Sequence, residues 1–119
     1  VDRTARNTNL LMWHRQPWLI DHGASLTFHH AWDGSVADPG KPFAPIAEHV
    51  LLPRADALAQ ADAELAARLT PAVLQAIEAQ VPQEFLDAAG VPPGGYAAYF
   101  QARLADRRRW LQGAIDARG

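Results

Sequence analysis

Prolines and glycines punctuate this chain so closely that no long uninterrupted element is open to much of it. Nine prolines and eight glycines are spread over 119 residues, and a proline inside a helix removes a backbone donor and clashes with the preceding turn. From Phe43 onward, Ala-rich stretches with helical apolar spacing lie between these breaks. Ile46, Val50 and Leu51 share one face of a short helix that ends near Pro53, and Leu58, Leu65 and Leu69 mark a second between Arg54 and Leu69. Thr70-Pro71 supplies an N-cap hydroxyl followed by a proline at the first helical position, ahead of the stripe Val73, Leu74, Ile77. That helix stops before Pro82. Phe85 and Leu86 mark a turn or two closed by Gly90, and Pro92-Pro93-Gly94-Gly95 is a hard break. The spacing of Tyr96, Phe100, Leu104, Leu111 and Ile115 then predicts one last helix from Tyr96 to Ala117.

The first fifth of the chain has a different pattern. Asn9-Leu10-Leu11-Met12-Trp13 and Pro17-Trp18-Leu19-Ile20 are short apolar runs joined by the polar His14-Arg15-Gln16, which predicts a β-hairpin. The expected fold is therefore mainly α: a short hairpin followed by a helical lobe. Residues 1–32 form the hairpin and its flanking loops, 33–45 a turn-rich loop carrying Gly34, Asp38, Pro39, Gly40, Pro42 and Pro45, and 46–119 the helical part.

A hairpin returns the end of its second strand to the start of its first, and oxygen-bearing side chains stand at both places. Asp2 and Asn7 lie five residues apart ahead of the first strand, and Asp21, followed by His22-Gly23, closes the second. This order suits a phosphotransferase: an acid orients the acceptor hydroxyl, while an Asn and a later Asp hold the cations that bridge the nucleotide's phosphates. Oxygen ligands match the hard Mg²⁺ ion. Gly23 is expected to take positive φ and let the chain turn away without crowding the phosphates. The same residues have a plainer reading, since an Asp near a Gly is an ordinary turn signature. Their joint occurrence in this order, around a hairpin, favours the chemical one.

At these residues the sequence resembles the HipA-like kinases, a bacterial branch of the protein-kinase-like fold that is also similar to the phosphatidylinositol kinases. The matching words are Val1-Asp2-Arg3-Thr4-Ala5-Arg6-Asn7-Thr8-Asn9-Leu10-Leu11 and Trp18-Leu19-Ile20-Asp21-His22-Gly23-Ala24, followed by Phe28-His29-His30. The likeness is clearest over residues 1–32 and weaker over the helices. It implies Asp2 as the catalytic acid and Asn7 and Asp21 as metal ligands, with Asn9 second in rank. It also implies Mg²⁺ and ATP as cofactors, a protein Ser/Thr hydroxyl as acceptor, an inositol lipid as the alternative acceptor, and a cytoplasmic enzyme. His22 stands where most protein kinases carry Phe. A complete kinase also needs a glycine-rich loop and a strand lysine at the phosphates. The only lysine is Lys41, in a loop downstream of Asp21. The chain is therefore expected to be the C-terminal portion of a longer kinase whose N-terminal lobe is missing, and inactive alone. By the same resemblance, 33–45 is a candidate activation or substrate loop; a plain connector is the alternative.

Other features narrow the field. A formal charge of −2 gives no general pull toward nucleic acid. With no cysteine, disulfides and thiolate metal sites are excluded. No run approaches the roughly 18 apolar residues of a membrane span. His22, His29, His30 and Asp33 suggest a transition-metal cluster of a His-rich metallohydrolase, but adjacent residues of a strand point to opposite sides, and the pair more simply lines a cleft. Arg3 and Arg6 flank Asp2 and either offset its charge, contact a phosphate, or sit at the surface. Arg107-Arg108-Arg109 spread around a helix and read as a solvated face with ion pairs to Asp106 or Asp116 rather than a phosphate patch. Trp13, Trp18, Trp32 and Trp110 read as packing residues, with no basic stripe beside them to stack bases. Outside catalysis, a helical binding module, such as a pseudokinase remnant, remains the main alternative.

Overall fold

The computed structural model describes residues 3–26, 28, 32 and 38–119. Asp2, His29, His30 and Asp33 lie outside the described residues, as do the readings that rest on them. Within them, a two-stranded antiparallel hairpin precedes a set of short helices.

Strand β1, Leu10–Trp13, pairs with β2, Gln16–Leu19, in the register Leu10↔Leu19, Leu11↔Trp18, Met12↔Pro17 and Trp13↔Gln16. The turn is His14-Arg15, with φ of 48° and 64°. Two successive left-handed residues make the tight turn whose twist matches that of the strands. The hairpin carries little cover: Met12 is 66% exposed and Trp13 59%.

Two 3₁₀ turns, Ala44–Glu48 and Leu52–Arg54, lead into the helices. These are α1 Leu58–Arg68, α2 Pro71–Glu78, α3 Gln83–Ala89, α4 Gly95–Ala105 and α5 Arg107–Arg118. The punctuation acts as expected at three points. Thr70 caps α2, its hydroxyl accepting from the Val73 N–H at 3.3 Å, with Pro71 at the first helical position. Gly90 ends α3 in the left-handed region, φ 67°, where glycine carries no side-chain penalty. Gly94, φ 76°, begins α4. The stretch around Ile46 and Val50 is tighter than the α-helix expected there, because Pro45 and Pro53 leave too little chain for a full set of i→i−4 bonds.

The single last helix expected from Tyr96 to Ala117 is two helices broken at Asp106, φ −92° and ψ 13°. Side chains take carbonyls that a continuous helix would bond internally. The Trp110 indole donates to the Arg103 carbonyl at 3.2 Å, and Arg107 to that of Leu104 at 3.3 Å. Arg107 also pairs with Asp62 at 3.0 Å, tying α5 to α1.

The core gathers Leu52, Leu74, Leu86, Val91, Ala97 and Tyr99, each at most 9% exposed. An aromatic cluster extends it: the Phe28 ring lies 4.3 Å from Tyr99 and 5.5 Å from Trp32, which meets Tyr96 edge-on at 5.6 Å. The chain following the hairpin is thereby pinned to α4. Downstream, Arg109 grips the Asp38 carboxylate with two nitrogens, at 3.0 and 3.2 Å, and Arg103 donates to the Pro39 carbonyl at 2.7 Å. The Asp38-Pro39-Gly40-Lys41 turn is thus clamped onto α4 and α5.

Candidate functional site

At the hairpin's open end the segment bearing Asn7 and Asn9 meets Asp21. The Ile20 N–H donates to the Asn9 carbonyl at 3.0 Å, extending the ladder by one rung past Leu10↔Leu19. The two chains then leave the sheet side by side through left-handed residues, Asn9 with φ 46° and Asp21 with φ 47°. Asn and Asp are the non-glycine residues that tolerate this conformation best. The positive φ expected at Gly23 therefore falls on Asp21 instead. A methyl group built on Gly23 would meet the Asp21 carboxylate at 3.5 Å, an ordinary contact.

Asn9 holds the junction together. It is 8% exposed, and its side-chain amide donates to the Asp21 carbonyl at 3.3 Å. The direct side-chain tie to the acid's backbone thus comes from Asn9, ranked second from sequence. Asn7, two residues earlier, and the Asp21 side chain are both exposed. Asn7 shapes its own loop, its N–H donating to the Thr4 carbonyl at 3.1 Å.

That loop is anchored from the helical side. The Arg3 carbonyl accepts from the Val50 N–H at 2.9 Å, and Thr4 bridges His49. Arg3 is not a surface residue. It is 9% exposed, one guanidinium nitrogen donates to His22 Nδ1 at 3.5 Å, and its Nε has no partner among the described residues. Arg6 is exposed. His49 sits behind this loop, where burial above all, with the positive charge of Arg3 among the lesser causes, pushes its pKa below the ordinary histidine value. Its Nδ1 accepts from the Leu51 N–H at 3.2 Å, as a neutral ring can.

No group of three or more His, Cys, Asp or Glu side chains placed to hold a metal occurs among the described residues. The arginine run proves to be dispersed, with Arg107 on Asp62 and Arg109 on Asp38 and, at 3.6 Å, Asp106.

One polar residue of the interior has no counterpart in the sequence reading. Glu78, 8% exposed at the end of α2, accepts the Ala97 N–H through Oε2 at 2.7 Å. Gly94 has no side chain with which to cap α4, so Glu78 caps that helix from a neighbouring one. The available signal was an acid at the last position of α2, where the helix macrodipole disfavours negative charge.

Comparison with known proteins finds no matching family model, no matching curated protein and no matching solved structure.

Proposed function

We propose that the chain is the catalytic-loop and helical C-lobe portion of an ATP-dependent, HipA-like kinase that transfers phosphate to a hydroxyl, on a protein Ser or Thr. The observation that carries this reading is the closing rung of the hairpin, the Ile20 to Asn9 bond, which brings Asp21 back to the segment bearing Asn7. On this reading Asn7 and Asp21 would hold Mg²⁺, and Asp2 would orient the acceptor hydroxyl. Their amide and carboxylate oxygens are the donor type a hard cation takes, and Asn7 and Asp21 are both exposed. When bound, the metal bridges phosphate oxygens and offsets their charge. Asn9 acts as a positioning residue by fixing the backbone at Asp21. The phosphate-gripping loop and strand lysine would come from a nucleotide lobe outside these 119 residues.

A second reading, a non-catalytic binding module, is favoured by the exposed apolar side chains of the hairpin, Leu11, Met12, Trp13, Trp18 and Leu19. Such a patch suits contact with another protein surface. Titration calorimetry of ATP with Mg²⁺ into the full-length gene product separates the two. The kinase reading expects binding that Asp21→Ala weakens at least tenfold. Absence of nucleotide binding by the wild type, or binding indifferent to Asp21→Ala, overturns it in favour of the module.

A further inference from the structure

Between α2, α4 and the turn after Asp21 lies a cavity of about 570 Å³. Leu26, Leu69, Leu74, Ile77, Val81 and Phe100 make its walls, and His22 and Gly23 form the edge nearest the hairpin. That volume falls within the range of small-molecule sites, which are mostly apolar with a few polar groups that fix orientation. One such group is present. Glu78 lines the cavity, and while Oε2 is committed to Ala97, its Oε1 is buried with no hydrogen-bond partner among the described residues. A buried carboxylate oxygen without a donor costs free energy that a bound donor would recover.

The surroundings say which donor fits. The first turn of α4 carries partial positive charge and already offsets part of the carboxylate's charge, so what Oε1 lacks is one hydrogen bond rather than a full countercharge. An ammonium group brings three N–H donors into a pocket whose walls are mostly apolar, with Tyr96 and His22 the other polar residues lining it, and where Glu78 Oε1 needs a single donor. A carboxylate would be repelled. A hydroxyl donates once.

We propose that this cavity is a binding site for an apolar alcohol, whose hydroxyl donates to Glu78 Oε1 while its hydrocarbon body lies against Leu74, Ile77 and Phe100. The assignment is independent of the phosphotransfer reading, since it uses none of Asp2, Asn7 or Asp21.

Two isomers of equal size test it: octan-1-ol, which has a donor, and 1-methoxyheptane, which has none. Amide chemical-shift titrations of the ¹⁵N-labelled chain should show octan-1-ol saturating at one site, with shifts centred on Leu74, Glu78 and Ala97. Its affinity should exceed that of 1-methoxyheptane at least tenfold. In Glu78→Gln the amide still accepts from Ala97 but turns an NH₂ toward the cavity, and the preference should fall below twofold. Ile77→Trp, at a half-exposed position, should block both ligands with the Glu78 cap untouched, and it serves should Glu78→Gln fail to fold. Equal binding of the isomers, no binding of either, a preference that survives Glu78→Gln, or full binding in Ile77→Trp overturns the assignment.

Discussion

Replacing Glu78 by alanine removes the cap of α4 and leaves the Ala97 N–H, in a residue only 3% exposed, without an acceptor. A hydrogen bond to a charged acceptor contributes about 2 kcal/mol. Orphaning the buried donor adds about 1 kcal/mol, and removing the unpartnered Oε1 returns about 1 kcal/mol. The net expectation is a loss of about 2 kcal/mol. For a domain of this size that lowers Tm by about 10 °C, taking roughly 5 °C per kcal/mol. Urea unfolding followed by circular dichroism at 222 nm and by tryptophan fluorescence measures it, with Glu78→Gln as a control that keeps the accepting oxygen and should lose less than half as much. If Glu78→Ala unfolds within about 0.5 kcal/mol of the wild type at an unchanged m value, the cap contributes nothing and the reasoning fails.

Two further expectations concern other parts of the fold. Gly90→Ala places a Cβ in ordinary contact with the Trp32 carbonyl at 3.9 Å, so the cost is the left-handed φ of 67° alone; a loss of about 1 kcal/mol is expected, less for Gly90→Asn, and no loss in thermal unfolding of Gly90→Ala would refute the strain argument. Burial holds the folded pKa of His49 below the ordinary histidine value of 6.5, so the unfolded chain binds the proton more readily. Its contribution to stability is full above pH 6.5 and declines as pH falls below that value toward the lowered folded pKa. Subtracting the stability–pH profile of His49→Gln from that of the wild type between pH 7.5 and 4.5 should isolate this slope; parallel profiles would contradict it.

What the sequence made legible was its local chemistry. Thr70-Pro71 and Gly90 state their positions through a hydroxyl, a fixed φ and a missing Cβ, and the structure uses each of them so. The hairpin was legible from its apolar runs, although His14-Arg15 is an unusual pair for two left-handed residues. The break at Asp106 was not, because it depends on where the Trp110 and Arg107 side chains find carbonyls. The same holds for the site. Asp21 announces itself beside Gly23, whereas the burial of Arg3 against His22 and the reach of Glu78 to α4 arise only when segments remote in sequence meet. Periodicity reports which face of a helix is apolar; it carries no record of a partner on another helix.

The stitching of Arg3 and Thr4 to His49 and Val50 has a consequence for the order of assembly. A closure spanning the hairpin and the turn-rich loop loses chain entropy before it gains contacts, so contacts of this kind form late in folding. The helices and the hairpin can each take shape while the polar junction at residues 3–7 is still unmade. Lesions around residues 46–52 would then yield a chain that looks native by its helicity and yet lacks an ordered junction at residues 3–7.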